Sequence, residues 1–416
     1  MVYYYKYKDK YLFSFIKYNN LEAVAEEEVK EKSRKIYFLK KTPPLLSRRS
    51  FLVTSPHLLF IDKEGVQLLL EDNKDYSNEL PKWILEKIKN KLVVAINTTY
   101  PNWEEVLDIS FKRKWTINLL ALGDVGSTLL IGLRLLGGNH IEKIGIYDRK
   151  ENRLKRWEQE LNQILPPTEP EAFPPIIPIP KEKLFQCDMF VFCASKEVPP
   201  VDSNVADVRM AQYEANSKII KEYAVMARKH KFKGIFAVLS DPVDLLCKVA
   251  FLESNKDEKG NYDFMGLASN QIIGYGLGVM NARACYHAEK SRETLHFLKE
   301  GRVFGPHGEG LIVADSIINY NEELSEYLTA KTLNANKDIR KLGFKPYVAP
   351  SLSSGALSII ATIKGDWFYG STYMGGAYMG SRCKFIDGQL EIEQLPLPEK
   401  LFEKIELTHE RLVSIL

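Results

Sequence analysis

One stretch constrains the fold of this chain more than any other: "WTINLLALGDVGSTLLIGLRLLGGNHIEKIGIYDRK", beginning at Trp115. It reads as a buried strand (Ile117 to Ala121), a turn holding Gly123 and Gly126, a long apolar helix, and a second strand ending at Asp148. Strand, helix and strand in that order make a parallel pair joined by a crossover. The turn between them needs glycine where the backbone approaches a pyrophosphate and where helix meets strand, and the helix N-terminus then faces the phosphates. Gly123, Asp124, Val125 and Gly126 are therefore candidate cofactor-binding residues. Asp148, 25 positions after Gly123, stands where a carboxylate takes the adenosine ribose hydroxyls of a dinucleotide. The first glycine of such a turn is missing, and Ala121 in its place crowds the bend.

The alternation of apolar strand, glycine turn and helix repeats after Trp115, the signature of a parallel sheet with crossover helices. Between 165 and 180, "LPPTEPEAFPPIIPIP" carries seven of the twenty prolines and is expected to be an extended, stiff connector. Beyond about residue 270 the pattern turns mixed, with helices expected near 279–300 and 310–342 and twisted hairpins in "WFYGSTYMGGAYMGSRCKFIDGQLEI". Residues 1–113 read as a small α/β unit: an aromatic hairpin, an acidic-to-basic helix "LEAVAEEEVKEKSRK", and a helix with Pro81 at its start before the buried strand "KLVVAIN". The expected architecture is α/β throughout. An N-terminal unit of unassigned role (1–113) precedes a Rossmann-type doubly wound parallel sheet (114–270) and an α+β catalytic domain (271–416).

Composition narrows the partners. Fifty-seven basic and 54 acidic residues leave a net charge of +3, too little over 416 residues to make a field for nucleic acid or an anionic membrane. Five widely spaced cysteines (Cys187, Cys193, Cys247, Cys285, Cys383) show no Cys-x-x-Cys and no histidine spacing suited to zinc; they read as reduced and cytoplasmic, and no metal is expected. The lysine-interrupted N-terminus does not resemble a secretory signal, and the most apolar window contains Asp124 and Arg134, so no membrane span is expected.

The remaining chemistry centres on "GRVFGPHGEG", where His307 sits between glycines. A histidine titrates near neutral pH, which suits acid/base work, but a loop histidine alone is equally a solvated one. Seven motifs in order decide the matter. "LGDVGSTL", "YDRKENRLKRWEQEL", "CDMFVFCAS", "VRMAQYEANSKIIKEYA", "VLSDPVDLLC", "IIGYGLGVMNAR" and "VFGPHGEG" resemble, at matching spacing, the segments of the L-lactate/malate dehydrogenase family from about residue 115 to the C-terminus. The resemblance implies a nicotinamide-dependent oxidoreductase that moves a hydride between NAD(H) and a 2-hydroxy/2-oxo acid. NADP is less favoured, although Arg149 adjoins Asp148. It implies His307 as proton donor and acceptor, Arg209 as the loop arginine that polarises the substrate carbonyl, and Arg283 as the carboxylate clamp, with Ser354 also at the substrate. Ala194, Ser195 and Asn216 join the cofactor side. A small-molecule carboxylate substrate and a homo-oligomer, dimer or tetramer, follow from the same resemblance.

The chain also departs from the family. Met280 stands where the family carries the aspartate that orients the histidine, and a one-residue slip offers only Asn281. The asparagine before Pro-Val-Asp is Asp241 here, so one carboxylate is lost and another gained nearby. Asp241 is accordingly expected beside His307, taking over part of the lost role. The loop "SKEVPPVDSNVADV" is about five residues longer than usual and opens on Ser195 where the family has glycine. Two other readings stay open: an amino- or imino-acid dehydrogenase, for which Asp241 would face a cationic nitrogen, and a non-catalytic dinucleotide-binding sensor.

Overall fold

The computed structural model describes every residue except 170, 197–207 and 416, with 208–211 described through their backbone alone. The chain opens on a hairpin of β1 (Tyr3–Tyr7) and β2 (Lys10–Ser14), then β3 (Glu22–Ala23), α1 (Glu26–Lys32), β4 (Ile36–Lys40), β5 (Ser50–Leu52), α2 (Lys82–Lys89) and β6 (Val93–Asn97). The strands form one sheet in the order β3-β1-β2-β4-β6-β5, with β2, β4 and β6 parallel. The first helix is shorter than its sequence pattern: Glu22 and Ala23 pair with β1, and three glutamates fill the first turn from Glu26, where the helix dipole favours anions.

The second sheet begins with β7 (Trp115–Leu120), all six residues of which are buried. It continues through α3 (Asp124–Leu136), β8 (Ile141–Tyr147), α4 (Glu151–Asn162), β9 (Ile176–Pro178), β10 (Met189–Phe192), α5 (Val208–Lys229), β11 (Ile235–Val238), α6 (Val243–Ser254) and β12 (Ile272–Gly274). These strands lie parallel as β9-β8-β7-β10-β11-β12. The order reverses at β7, which opens a crevice at the carboxyl ends of β7 and β10, where ligands of such sheets bind. The proline-rich connector supplies β9, an edge strand that tolerates Pro178 because its outer side needs no donor. Arg134 pins the connector from α3 by donating to the carbonyls of Pro174 (2.5 Å) and Ile164 (3.1 Å).

After α7 (Leu277–Ala288) and α8 (Phe297–Glu300), a small hairpin of β13 (Arg302–Phe304) and β14 (Ile312–Ala314) carries the His307 loop between its strands. The helix expected over 310–342 is α9 (Glu322–Lys341). Its start is set by the Asn321 side chain, which accepts from the Leu324 N–H, and the residues before it belong to β14 and a turn. A π-helical turn, Pro350–Leu357, leads into α10 (Ser358–Lys364), followed by β15 (Trp367–Met374), β16 (Ala377–Ile386), β17 (Gln389–Ile392) and α11 (Glu399–Ser414). Strand β15 pairs antiparallel with β12, so the C-terminal strands extend the parallel sheet to nine instead of forming a sheet of their own. The first unit is likewise not separate in packing. Phe13, Phe38 and Val93 share one core with Phe304, Met379, Leu401 and Ile405, and the ion pair Arg48–Glu64 (2.9 Å) is buried. Among the described residues no helix is long and apolar enough to cross a membrane.

Candidate active site

The glycine turn follows from the close approach of α3 to β7. A Cβ at Gly126 would lie 2.0 Å from the Ala121 carbonyl oxygen, so only glycine lets the helix pack there. Ala121 itself sits at φ +73°, the left-handed conformation that costs an L-residue about 1–2 kcal/mol, which is where the missing first glycine would have been at ease. A Cβ at Gly123 would meet nothing within 4 Å, leaving room for a ligand to approach the backbone ahead of the helix. Val125, half-buried, follows in the first turn.

Asp148 is buried at the end of β8. It accepts from the N–H groups of Leu122 (2.9 Å) and Lys150 (2.9 Å) and from Arg153 Nη1 (3.0 Å). Burial alone would push its carboxyl up, but these donors outweigh it and hold the group below the usual carboxylate range. Arg153 thus occupies part of the carboxylate that was assigned to ribose. Asp124 brings an exposed carboxylate into the first turn of α3, where it pairs with Lys345 at 3.1 Å.

Across the crevice, Asn216 of α5 is fully buried and ties the ends of two strands together. Its amide donates to the Asp241 carbonyl (2.7 Å) and Ser195 Oγ (3.3 Å) and accepts from the Lys196 N–H (3.0 Å). Ser240 donates to the Ala194 carbonyl at 2.8 Å, closing the same seam. Ser195 turns its hydroxyl to the Lys196 carbonyl (2.9 Å). Asn216 therefore fixes the cofactor-side loop through hydrogen bonds to protein groups.

His307 and Asp241 come together. Nδ1 of the histidine lies 2.8 Å from Asp241 Oδ1; the His307 side chain is 11% exposed and that of Asp241 is 47% exposed. Asp241 follows β11 at the carboxyl edge of the sheet, and His307 reaches it from the β13–β14 loop. A Cβ at Gly276 would lie 2.9 Å from His307 Cβ, so the glycine after β12 makes room for the ring. The main-chain N–H of His307 donates to Asp244 Oδ2 (3.1 Å), and Ser371 donates to the other oxygen of Asp244 (2.6 Å).

Arg283 on α7 is buried, and its guanidinium donates to Asn336 Oδ1 of α9 and to the sulfur of Met280 (3.7 Å). Burial disfavours its charge and the nearby Asp241 carboxylate favours it, so the guanidinium and the carboxylate beside His307 lie within each other's field. Met280 is buried in an apolar cluster and turns its thioether sulfur toward Arg283. Ser354 in the π-helical turn has two protein partners. It donates to the Gly276 carbonyl (2.6 Å) and accepts from the Val279 N–H (2.8 Å), bracing the start of α7. Arg209 belongs to α5 by its backbone, and its side chain lies outside the described residues. Asp244, Ser371, Asn336, Arg153 and Lys345 carry these contacts without having been singled out in the sequence. Only Asp244, inside the "DPVD" segment, had a signal that could have found it.

No family model matches the chain. Its curated relatives include the L-lactate dehydrogenase of Bacillus licheniformis, 25% identical over 251 residues that make up 54% of this chain and 72% of that protein. The L-lactate dehydrogenase of Macrococcus caseolyticus is 23% identical over 260 residues, 56% and 76% of the two chains. Over somewhat more than half its length the chain is thus similar to L-lactate dehydrogenases. Solved structures agree with this fold. A lactate dehydrogenase from a Medee basin deep-sea metagenome library superposes with a TM-score of 0.58 at 18% identity, covering 73% of this chain and 98% of that one. The malate dehydrogenase of Archaeoglobus fulgidus, in complex with NADH, gives 0.59 at 17% identity, covering 72% and 97%. The two solved structures leave roughly a quarter of this chain uncovered.

Proposed function

We propose that the protein is a nicotinamide-dependent oxidoreductase acting on a small 2-hydroxy/2-oxo acid, with His307 moving the proton. The observation that carries this reading is the 2.8 Å contact between His307 and Asp241 at the carboxyl edge of the sheet, beside buried Arg283. In the oxidation direction His307 takes the hydroxyl proton, Asp241 stabilises the imidazolium that forms, and Arg283 holds the substrate carboxylate with its planar fork. A nicotinamide bound at the crevice supplies the acceptor for the hydrogen on C2. Gly123 leaves room for its pyrophosphate at the N-terminus of α3, and Asp148 favours NAD(H) over NADP(H). Arg209, in the first turn of α5, is the candidate for polarising the carbonyl.

The cofactor side has one charge working against it. Asp124 puts a carboxylate in the turn that would meet the pyrophosphate. Asp124→Asn is therefore expected to tighten NADH binding about threefold to tenfold at low salt, and less at high salt, because the repulsion acts between exposed charges. A fluorescence titration of NADH checks this, and weaker binding by the variant would contradict it.

Assembly with a second copy is supported by exposed apolar side chains at Leu342, Phe344 and Val348, and a cytoplasmic location by five unpaired cysteines. The test of the activity is a spectrophotometric screen of 2-oxo acids with NADH and NADPH. Oxidation of NADH by at least one of them is the expected result. Tight NADH binding with no turnover across the series would overturn the catalytic reading.

A further inference from the structure

Asp244 is a carboxylate to which the reaction as described gives no part. It is the second residue of α6, 5% exposed, and no lysine or arginine pairs with it among the described residues. Its donors are the Ser371 hydroxyl of β15 at 2.6 Å and the His307 main-chain N–H at 3.1 Å. Two glycines near the end of β12 let these groups converge. A Cβ at Gly274 would stand 2.8 Å from Ser371 Cβ and 2.6 Å from Val243, and one at Gly276 would strike His307. An amide of the same shape would fill this place without burying a charge, so packing alone does not call for a carboxylate.

We propose that Asp244 is a positioning residue of the acid/base site: its buried charge anchors the His307 loop to α6 and, with Asp241, backs the imidazolium. The inference rests on the reading that His307 handles the proton. Asp241, two residues ahead of α6, bonds the ring, and Asp244, the second residue of that helix, bonds the main chain. The N-terminal end of α6 favours an anion there, and the Ser371 hydroxyl solvates it. Burial nonetheless pushes the Asp244 carboxyl above the usual range, against the Ser371 hydroxyl and the His307 N–H. Other charged or titratable groups around the loop are Arg283 of α7, which feels Asp241, and Glu309, which pairs with Arg411 of α11 at 3.1 Å. Cys247, one turn along α6 from Asp244, has its thiol pushed well above its ordinary value by burial.

The experiment pairs thermal melting with kinetics on the full-length protein. A carboxyl whose folded pKa is raised gives stability below its unfolded pKa and loses it as pH rises through the folded value. Asp244→Asn should therefore melt about 2 °C higher than the parent at pH 7.5, with the gain gone near pH 4. The same variant should reduce an oxo acid about tenfold more slowly, with KM for NADH unchanged. Ser371→Ala should lower the melting temperature of the parent at pH 7.5 but leave that of Asp244→Asn nearly unmoved, and Ser371→Thr should restore it. A variant Asp244→Asn that is less stable at pH 7.5, or that turns over at the parent's rate, would overturn the proposal. Absence of turnover in the parent would instead remove the functional reading beneath it. The melting data need no substrate and tell the two failures apart.

Discussion

His307→Gln lowers the rate of oxo-acid reduction by about 10²–10⁴-fold, the range that a positioned proton donor contributes. Glutamine keeps much of the ring's size and a hydrogen-bonding end, so the loop should hold its place against Gly276 and α6 while losing the group that can give a proton and take it back. NADH affinity should change by less than about twofold, because the phosphate turn lies on β7 and α3, which the histidine loop does not form. Single-turnover oxidation of bound NADH measures the loss directly. A variant that keeps a tenth or more of the parent's rate would move the proton-handling group elsewhere.

Arg283→Lys is expected to weaken capture of the oxo acid about 10²-fold in kcat/KM. A planar fork makes two parallel bonds to a carboxylate, and an ammonium makes a point contact. The site is built around the fork: Asn336 and Met280 hold two of its donors, and burial strips water from the rest. Lysine has no geometry with which to replace those contacts. The loss should fall on the acid and leave the NADH dissociation constant nearly unchanged. Steady-state kinetics with the best oxo acid from the screen, beside an NADH titration, separates the two; equal losses in both would mark Arg283 as a structural residue.

The glycine turn between β7 and α3 was legible because its requirements are backbone requirements. Gly126 cannot be anything larger, and Asp148 must end a strand, so glycines and an acid at fixed offsets report the turn in one dimension. The convergence of Asp241 on His307 was legible only through the paired change, a carboxylate gained before Pro242 and one lost at Met280, in segments that lie 66 residues from His307 and 27 from it, counting from Asp241 and Met280. What was not legible depends on side chains meeting across elements with no local pattern. Arg153 takes a share of Asp148, Lys345 reaches Asp124 from 221 positions away, and Ser354 serves the start of α7. The division at 270 and 271 failed to foresee that β15 would join β12, since an antiparallel addition to a sheet edge leaves no mark in the periodicity of either strand. Nor does the aromatic pattern of residues 1–113 announce that its inner face would share a core with β13, β16 and α11.

The central claim is that a carboxylate relocated to position 241 sustains the acid/base role of His307, and the rate of oxo-acid reduction in Asp241→Asn, measured beside an NADH titration, tests it most directly. The carboxylate stands 2.8 Å from the ring nitrogen, where it orients the ring and backs the charge the ring carries when it holds the proton. Replacing that charge by an amide of equal size should lower the single-turnover rate about tenfold or more and leave NADH affinity nearly unchanged. A rate equal to the parent's would contradict the relocated carboxylate.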